Sequence, residues 1–94
     1  MRKYEGVFIF KNTLEEATRT QLFERITDII KNGGNITEIA EWGTRKLAYE
    51  IDYNREGYYY IVSFEATPEI VAEMDRRSRI TDSLLRFMIT RVEA

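Results

Sequence analysis

The side chains in this sequence best suited to chemistry are cations, and the chemistry they suit is the holding of phosphate. Arg45 and Lys46 stand side by side after Gly43 and a one-residue spacer. Arginine offers phosphate oxygens a planar fork and lysine a point charge. Between Arg76 and Arg91 the arginines Arg76, Arg77, Arg79, Arg86 and Arg91 face one acid, Asp82, so this segment carries +4 while the rest of the chain carries -6. That asymmetry marks a candidate phosphate-binding face on an acidic body, and the competing reading is a solvated charge run. The candidate phosphate contacts are Arg2, Lys3, Arg45, Lys46, Arg79, Arg86 and Arg91. A few such contacts would fix the register of a phosphate-bearing partner by its charge alone.

Catalysis has little to work with. Cysteine and histidine are both absent, which removes disulfides, thiolate and imidazole metal ligands, and the usual general base near neutrality. Glu38 with Glu41, or Asp52 with Glu56, can be drawn as acid/base pairs. Both sets lie where exposed acids are ordinary solubilising residues. The expectation is no enzyme, no cofactor, no metal and no small-molecule substrate. The net charge is -2 over 94 residues. A chain of this length makes one domain, 1–94, and buries roughly 65% of the surface that its extended form exposes. Near the N-terminus only Val7 to Phe10 form an apolar run, too short for a signal-peptide core or a membrane span. A cytoplasmic protein is expected.

The elements that must position the cations follow from periodicity. Lys3 to Phe10 reads as an interior strand with Tyr4, Gly6, Phe8 and Phe10 toward the core and Lys3, Glu5, Val7 and Ile9 on the other face. Thr13-Leu14-Glu15-Glu16 matches a capping box, so a helix is expected from Thr13. Leu22, Ile26, Ile29 and Ile30 give its inner stripe, and Gly33-Gly34 its stop. Asn35 to Trp42 starts a second strand, whose apolar residues slip out of step near Gly43, where a bulge is expected. Beyond it Leu47, Tyr49 and Ile51 alternate with Lys46, Ala48 and Glu50.

A polar segment from Asp52 ends in Gly57, a residue free to adopt positive φ, and closes a long β-hairpin. In the third strand Tyr58, Tyr60, Val62 and Phe64 turn inward while Tyr59, Ile61, Ser63 and Glu65 take the more open face. Thr67-Pro68-Glu69 starts a second helix, with capping hydroxyl, first-turn proline and acid in order. Its inner stripe is Val71, Met74 and Ser78. Arg76, Arg77 and Arg79 crowd its last turn, where the helix dipole favours cations. Leu84 to Val92 is the last strand, with Leu85, Phe87 and Ile89 inward and Arg86, Met88 and Thr90 outward. The expected core includes Phe8, Ile26, Leu47, Val62 and Phe87.

The order β-α-β-β-α-β is the ferredoxin-like α+β arrangement: a four-stranded antiparallel sheet, first and third strands central, two helices on one face. The other face is left open. Lys3, Glu5, Val7, Ile9, Tyr59, Ile61, Ser63, Arg86 and Met88 line it, and Val7, Ile9, Tyr59, Ile61 and Met88 are the candidate contacts for a protein partner.

These residues resemble the bacterial small-subunit ribosomal protein six family. The likeness spans nearly the whole chain: Met1-Arg2-Lys3-Tyr4-Glu5, then Gly43-Thr44-Arg45-Lys46-Leu47-Ala48-Tyr49-Glu50-Ile51 with Gly57-Tyr58, then Arg79-Ile80-Thr81-Asp82 leading to Arg86 and Met88. The glycine, spacer, two cations and Leu-Ala-Tyr string is the specific part. The resemblance implies the fold above, no catalysis, and a role in small-subunit assembly. It also implies partners: ribosomal protein eighteen of the small subunit and, jointly with it, the central domain of the small-subunit ribosomal RNA. Some members carry a long acidic tail extended with glutamates, whereas this sequence ends Arg91-Val92-Glu93-Ala94, so the resemblance does not carry that modification over.

An RNA-recognition motif shares the topology. Its third-strand pattern fails here at Glu56, Tyr59 and Ser63, and parity turns Tyr58 and Tyr60 inward, away from any base-stacking role. A ligand-binding regulatory domain of the same fold is the other rival.

Overall fold

A computed structural model describes residues 1–92; the expectation about the C-terminal end concerns Glu93 and Ala94, which lie outside the described residues. Six elements follow in the expected order: β1 (Arg2–Lys11), α1 (Glu16–Lys31), β2 (Asn35–Ile51), β3 (Asn54–Ala66), α2 (Pro68–Arg79) and β4 (Leu84–Arg91). The strands form one antiparallel sheet in the order β2-β3-β1-β4, so β1 and β3 are central. Among the described residues no helix is long and apolar enough to cross a membrane.

Alternation decides which face is buried. Tyr4, Phe8 and Phe10 of β1 and Tyr60, Val62, Phe64 and Ala66 of β3 point to one side, where Phe23, Ile26 and Ile30 of α1 and Met74 of α2 close over them. The Phe23 ring lies flat on Tyr60, with centroids 3.9 Å apart. Both helices therefore sit on the same face, driven there by apolar area that neither layer buries alone. Thr67 caps α2 as expected, accepting from Ile70 N–H at 3.4 Å, with Pro68 in the first turn.

Several local expectations are corrected. α1 begins at Glu16 after an N-cap at Glu15 with no side-chain cap, so Thr13 forms no capping box; the chain from Asn12 to Leu14 is a turn instead, and Leu14 N–H reaches back to Lys11 C=O at 3.4 Å. The hairpin turns at Asp52 and Tyr53, with φ of 52° and 66°, rather than at Gly57. Successive positive φ values match the right-handed twist of the flanking strands. Gly57 instead sits within β3 where the side chains of Ile9 and Leu47 converge, and a Cβ there would collide with Ile9. Leu47 is thus on the open face and not in the core. A register slip in β4 sets Leu84 opposite Phe10 and Arg86 opposite Ile9, so Leu85, expected inward, is the bulged residue and Leu84 packs inward in its place. Phe87 and Ile89 pack inward as expected.

Candidate nucleic-acid and partner-binding face

Residues opposed on neighbouring strands share a face, so register sorts the open side into rows. The middle row is apolar: Ala40, Ile61, Val7 and Met88, read from β2 to β4. Beside it run Tyr59, Ile9 and Arg86, and beyond them Arg45, Gly57 and Lys11. On the opposite flank come Glu38, Ser63, Glu5 and Thr90, then Asn35, Glu65 and Lys3. Charge on this face is therefore segregated. One end holds Glu5, Glu38 and Glu65 with Lys3; the other holds Arg45, Lys11 and Arg86.

The expected bulge in β2 builds much of the basic end. Pairing slips between Glu41 and Gly43, where Gly43 takes φ 78° in the left-handed region. Trp42 is the extra residue, and its ring stacks on Tyr59 with centroids 6.4 Å apart and planes 19° from parallel. The Arg45 guanidinium carbon is 5.7 Å from the Trp42 ring centroid, and Arg45 Nε donates to Trp42 C=O at 3.3 Å. A further break, between Lys46 and Ile51, lets the hairpin tip bend over the sheet toward β4. There Arg86 Nη1 donates to the Tyr49 hydroxyl, with its guanidinium carbon 5.9 Å from the ring centroid.

The partner candidates are unequally accessible. Val7, Tyr59 and Ile61 are half-buried and Met88 is exposed, whereas Ile9 is only 8% exposed because Leu47 lies against it over Gly57. The cation candidates divide between two sides. Lys3, Arg45 and Arg86 share the open face. Arg2, opposite Ala66, Arg91, opposite Tyr4, and Lys46, opposite Glu56, have the parity of the helix side. Arg79 is at the end of α2, where its Nε donates to Asp75 Oδ2 at 2.7 Å and its guanidinium carbon sits 5.8 Å from the Phe87 ring centroid. Its neighbour Arg76 donates twice to Glu73, at 2.7 and 2.8 Å, and this pair holds the Glu73 carboxyl below the usual carboxylate range.

Tyr58 and Tyr60 do turn to the helix side, and there they meet a residue the sequence reading passed over. Arg19 of α1 is 8% exposed, with its guanidinium carbon 3.6 Å from the Tyr58 ring centroid and its Nε donating to the Tyr60 hydroxyl at 3.2 Å. Tyr58 in turn donates its hydroxyl proton to Glu41 Oε2. That bond, followed by desolvation, pushes the Tyr58 phenol above its ordinary value. The inner clip Arg19–Tyr58–Glu41 thus pins the strand immediately before the bulge, while Tyr59 and Arg45 hold Trp42 on the other face.

Comparison with known proteins decides between a ribosomal protein and the other users of this fold. The family model described as "Ribosomal protein S6" matches residues 3–91. The chain belongs to the ribosomal protein S6 family. It is 45% identical over 93 residues to small ribosomal subunit protein bS6 of Alkaliphilus oremlandii, covering 99% of each chain, and 48% identical over 92 residues to that of Desulforudis audaxviator, covering 97% of this chain and 98% of the relative. Against the crystal structure of 30S ribosomal protein S6 from Thermotoga maritima the TM-score is 0.91, with 32% sequence identity over 97% of this chain and 87% of that one. S6 proteins are structural, non-enzymatic components of the small ribosomal subunit, so this chain is a ribosomal protein of the bacterial cytoplasm.

Proposed function

We propose that this S6 protein, acting as one domain over residues 1–94, binds the central domain of the small-subunit ribosomal RNA jointly with ribosomal protein eighteen and thereby supports subunit assembly. The observation that carries this reading is the apolar row Ala40, Ile61, Val7 and Met88 on a sheet face that no helix covers. An apolar centre between charged flanks is the layout of a protein interface. The acidic flank of Glu5, Glu38 and Glu65 suits a basic partner. A chain of net charge -2 with few cations on any one side binds RNA weakly alone, and a basic partner supplies the missing charge.

Ile61 lies in the middle of the row, so Ile61→Asp places a charge where the partner must exclude water. Calorimetric titration with ribosomal protein eighteen is expected to show strongly weakened binding by this variant, with its circular dichroism unchanged. Wild-type affinity in a folded Ile61→Asp variant removes the face from the interface.

A further inference from the structure

We propose that Trp42 and Arg45 form a stacking site for one unpaired nucleobase and its phosphate, at the basic end of the open face. The proposal rests on the RNA half of the reading above and assigns the RNA contact to a different row from the protein contact.

Trp42 is 53% exposed although it is the sole tryptophan of the chain and its surface is costly to leave in water. It is also held, not loose. Tyr59 supports the ring from the sheet, the φ 78° of Gly43 sets the bulge, and Glu41 is tied to Tyr58 on the opposite side. A platform fixed from both sides loses little conformational freedom when a ligand stacks on it.

Arg45 adds the charge. Its Nε is spent on Trp42 C=O, which orients the guanidinium at the ring, and among the described residues no ion pair engages its terminal nitrogens. Farther along these open-face rows lie Lys11, two strands away on β1 opposite Gly57, and Arg86 on the far edge strand opposite Ile9, and among the described residues the two rows carry no carboxylate. Aromatic rings flanked by cations suit single-stranded nucleic acid, where any base offers a π-face and the backbone offers phosphate. A basic protein partner is repelled here and attracted to the Glu5, Glu38 and Glu65 end.

Because Trp42 is the sole tryptophan, its fluorescence reports the site directly. Titrating the full chain at low salt with a short oligoadenylate is expected to quench Trp42 emission saturably, and a duplex RNA of equal phosphate count is expected to leave it nearly unchanged. Trp42→Leu, confirmed folded by circular dichroism, is expected to weaken binding of a labelled oligoadenylate roughly 5- to 150-fold, the range for loss of one stacked base. Equal quenching by duplex and single strand, or unaltered oligoadenylate affinity in Trp42→Leu, overturns the proposal. So does loss of acrylamide access to Trp42 on binding ribosomal protein eighteen without RNA, because the ring then belongs to the protein interface. The oligonucleotide readouts use the isolated chain and are independent of Ile61→Asp, so failure of the stacking site and failure of the partner face are told apart.

Discussion

Arg19 lies buried on α1, its guanidinium over the Tyr58 ring and its Nε bonded to the Tyr60 hydroxyl. An arginine in an amphipathic helix is ordinarily solvent-facing, and only the tertiary approach of Tyr58 and Tyr60 to α1 makes a satisfied, buried site for its guanidinium. Phe23 joins the core in the same way, stacked on Tyr60 beside a stripe of Leu22, Ile26, Ile29 and Ile30 that by itself accounts for a helical face. The Tyr58–Glu41 bond gives this network a pH signature. The folded pKa of Tyr58 is raised above the unfolded value near about 10. The stabilisation is therefore fully present below pH of about 10 and is lost as pH rises through the folded pKa. In urea unfolding, the stability difference between wild type and Glu41→Gln is expected to be constant from neutral pH up to that value and to shrink above it. A difference that stays constant in strong alkali shows that Tyr58 gains nothing from the carboxylate.

At the level of elements, existence and order were readable, and boundaries failed where two signals competed. Thr13 satisfies the capping-box pattern, yet the chain leaving β1 needs a turn before α1 can reach the sheet, and Lys11 to Leu14 makes it. Thr67 has no such competitor, because Pro68 sets the first-turn φ and β3 ends directly before it. The two threonines give a paired prediction. Thr67→Ala is expected to cost about 0.5–1 kcal/mol, the lower part of the cap range given its long 3.4 Å bond. Thr13→Ala is expected to stay within about 0.5 kcal/mol, as for other surface changes. Equal costs in chemical denaturation show that the α1 start is capped after all. The hairpin misreading has the same character: glycine is the usual marker of positive φ, but Gly57 serves close packing, and the polar Asp52 with the 92% exposed Tyr53 takes the turn.

Across the whole molecule, parity placed the candidate cations better than charge counting did. The +4 segment looked like one patch along the sequence, but α2 and β4 put its members in different surroundings. Arg79 is held by Asp75 at the helix end, whereas Arg86 reaches the open face beside Ile9 and bonds the Tyr49 hydroxyl. Sequence could not show that last contact, which depends on the hairpin tip bending back. RNA binding measured in the presence of ribosomal protein eighteen, the proposed partner, therefore separates the two arginines. If Arg86 neutralises one phosphate, Arg86→Ala lowers affinity across RNA variants and reduces the slope of log K against log salt by about 0.7 to 0.9. Arg79→Ala leaves that slope unchanged, because its guanidinium is already paired with Asp75. Tyr49→Phe keeps the Arg86 charge and removes only its hydroxyl partner, so it retains the wild-type slope even where affinity falls. A wild-type slope in folded Arg86→Ala strikes this arginine from the RNA-binding set and leaves it as the cation that anchors the hairpin tip.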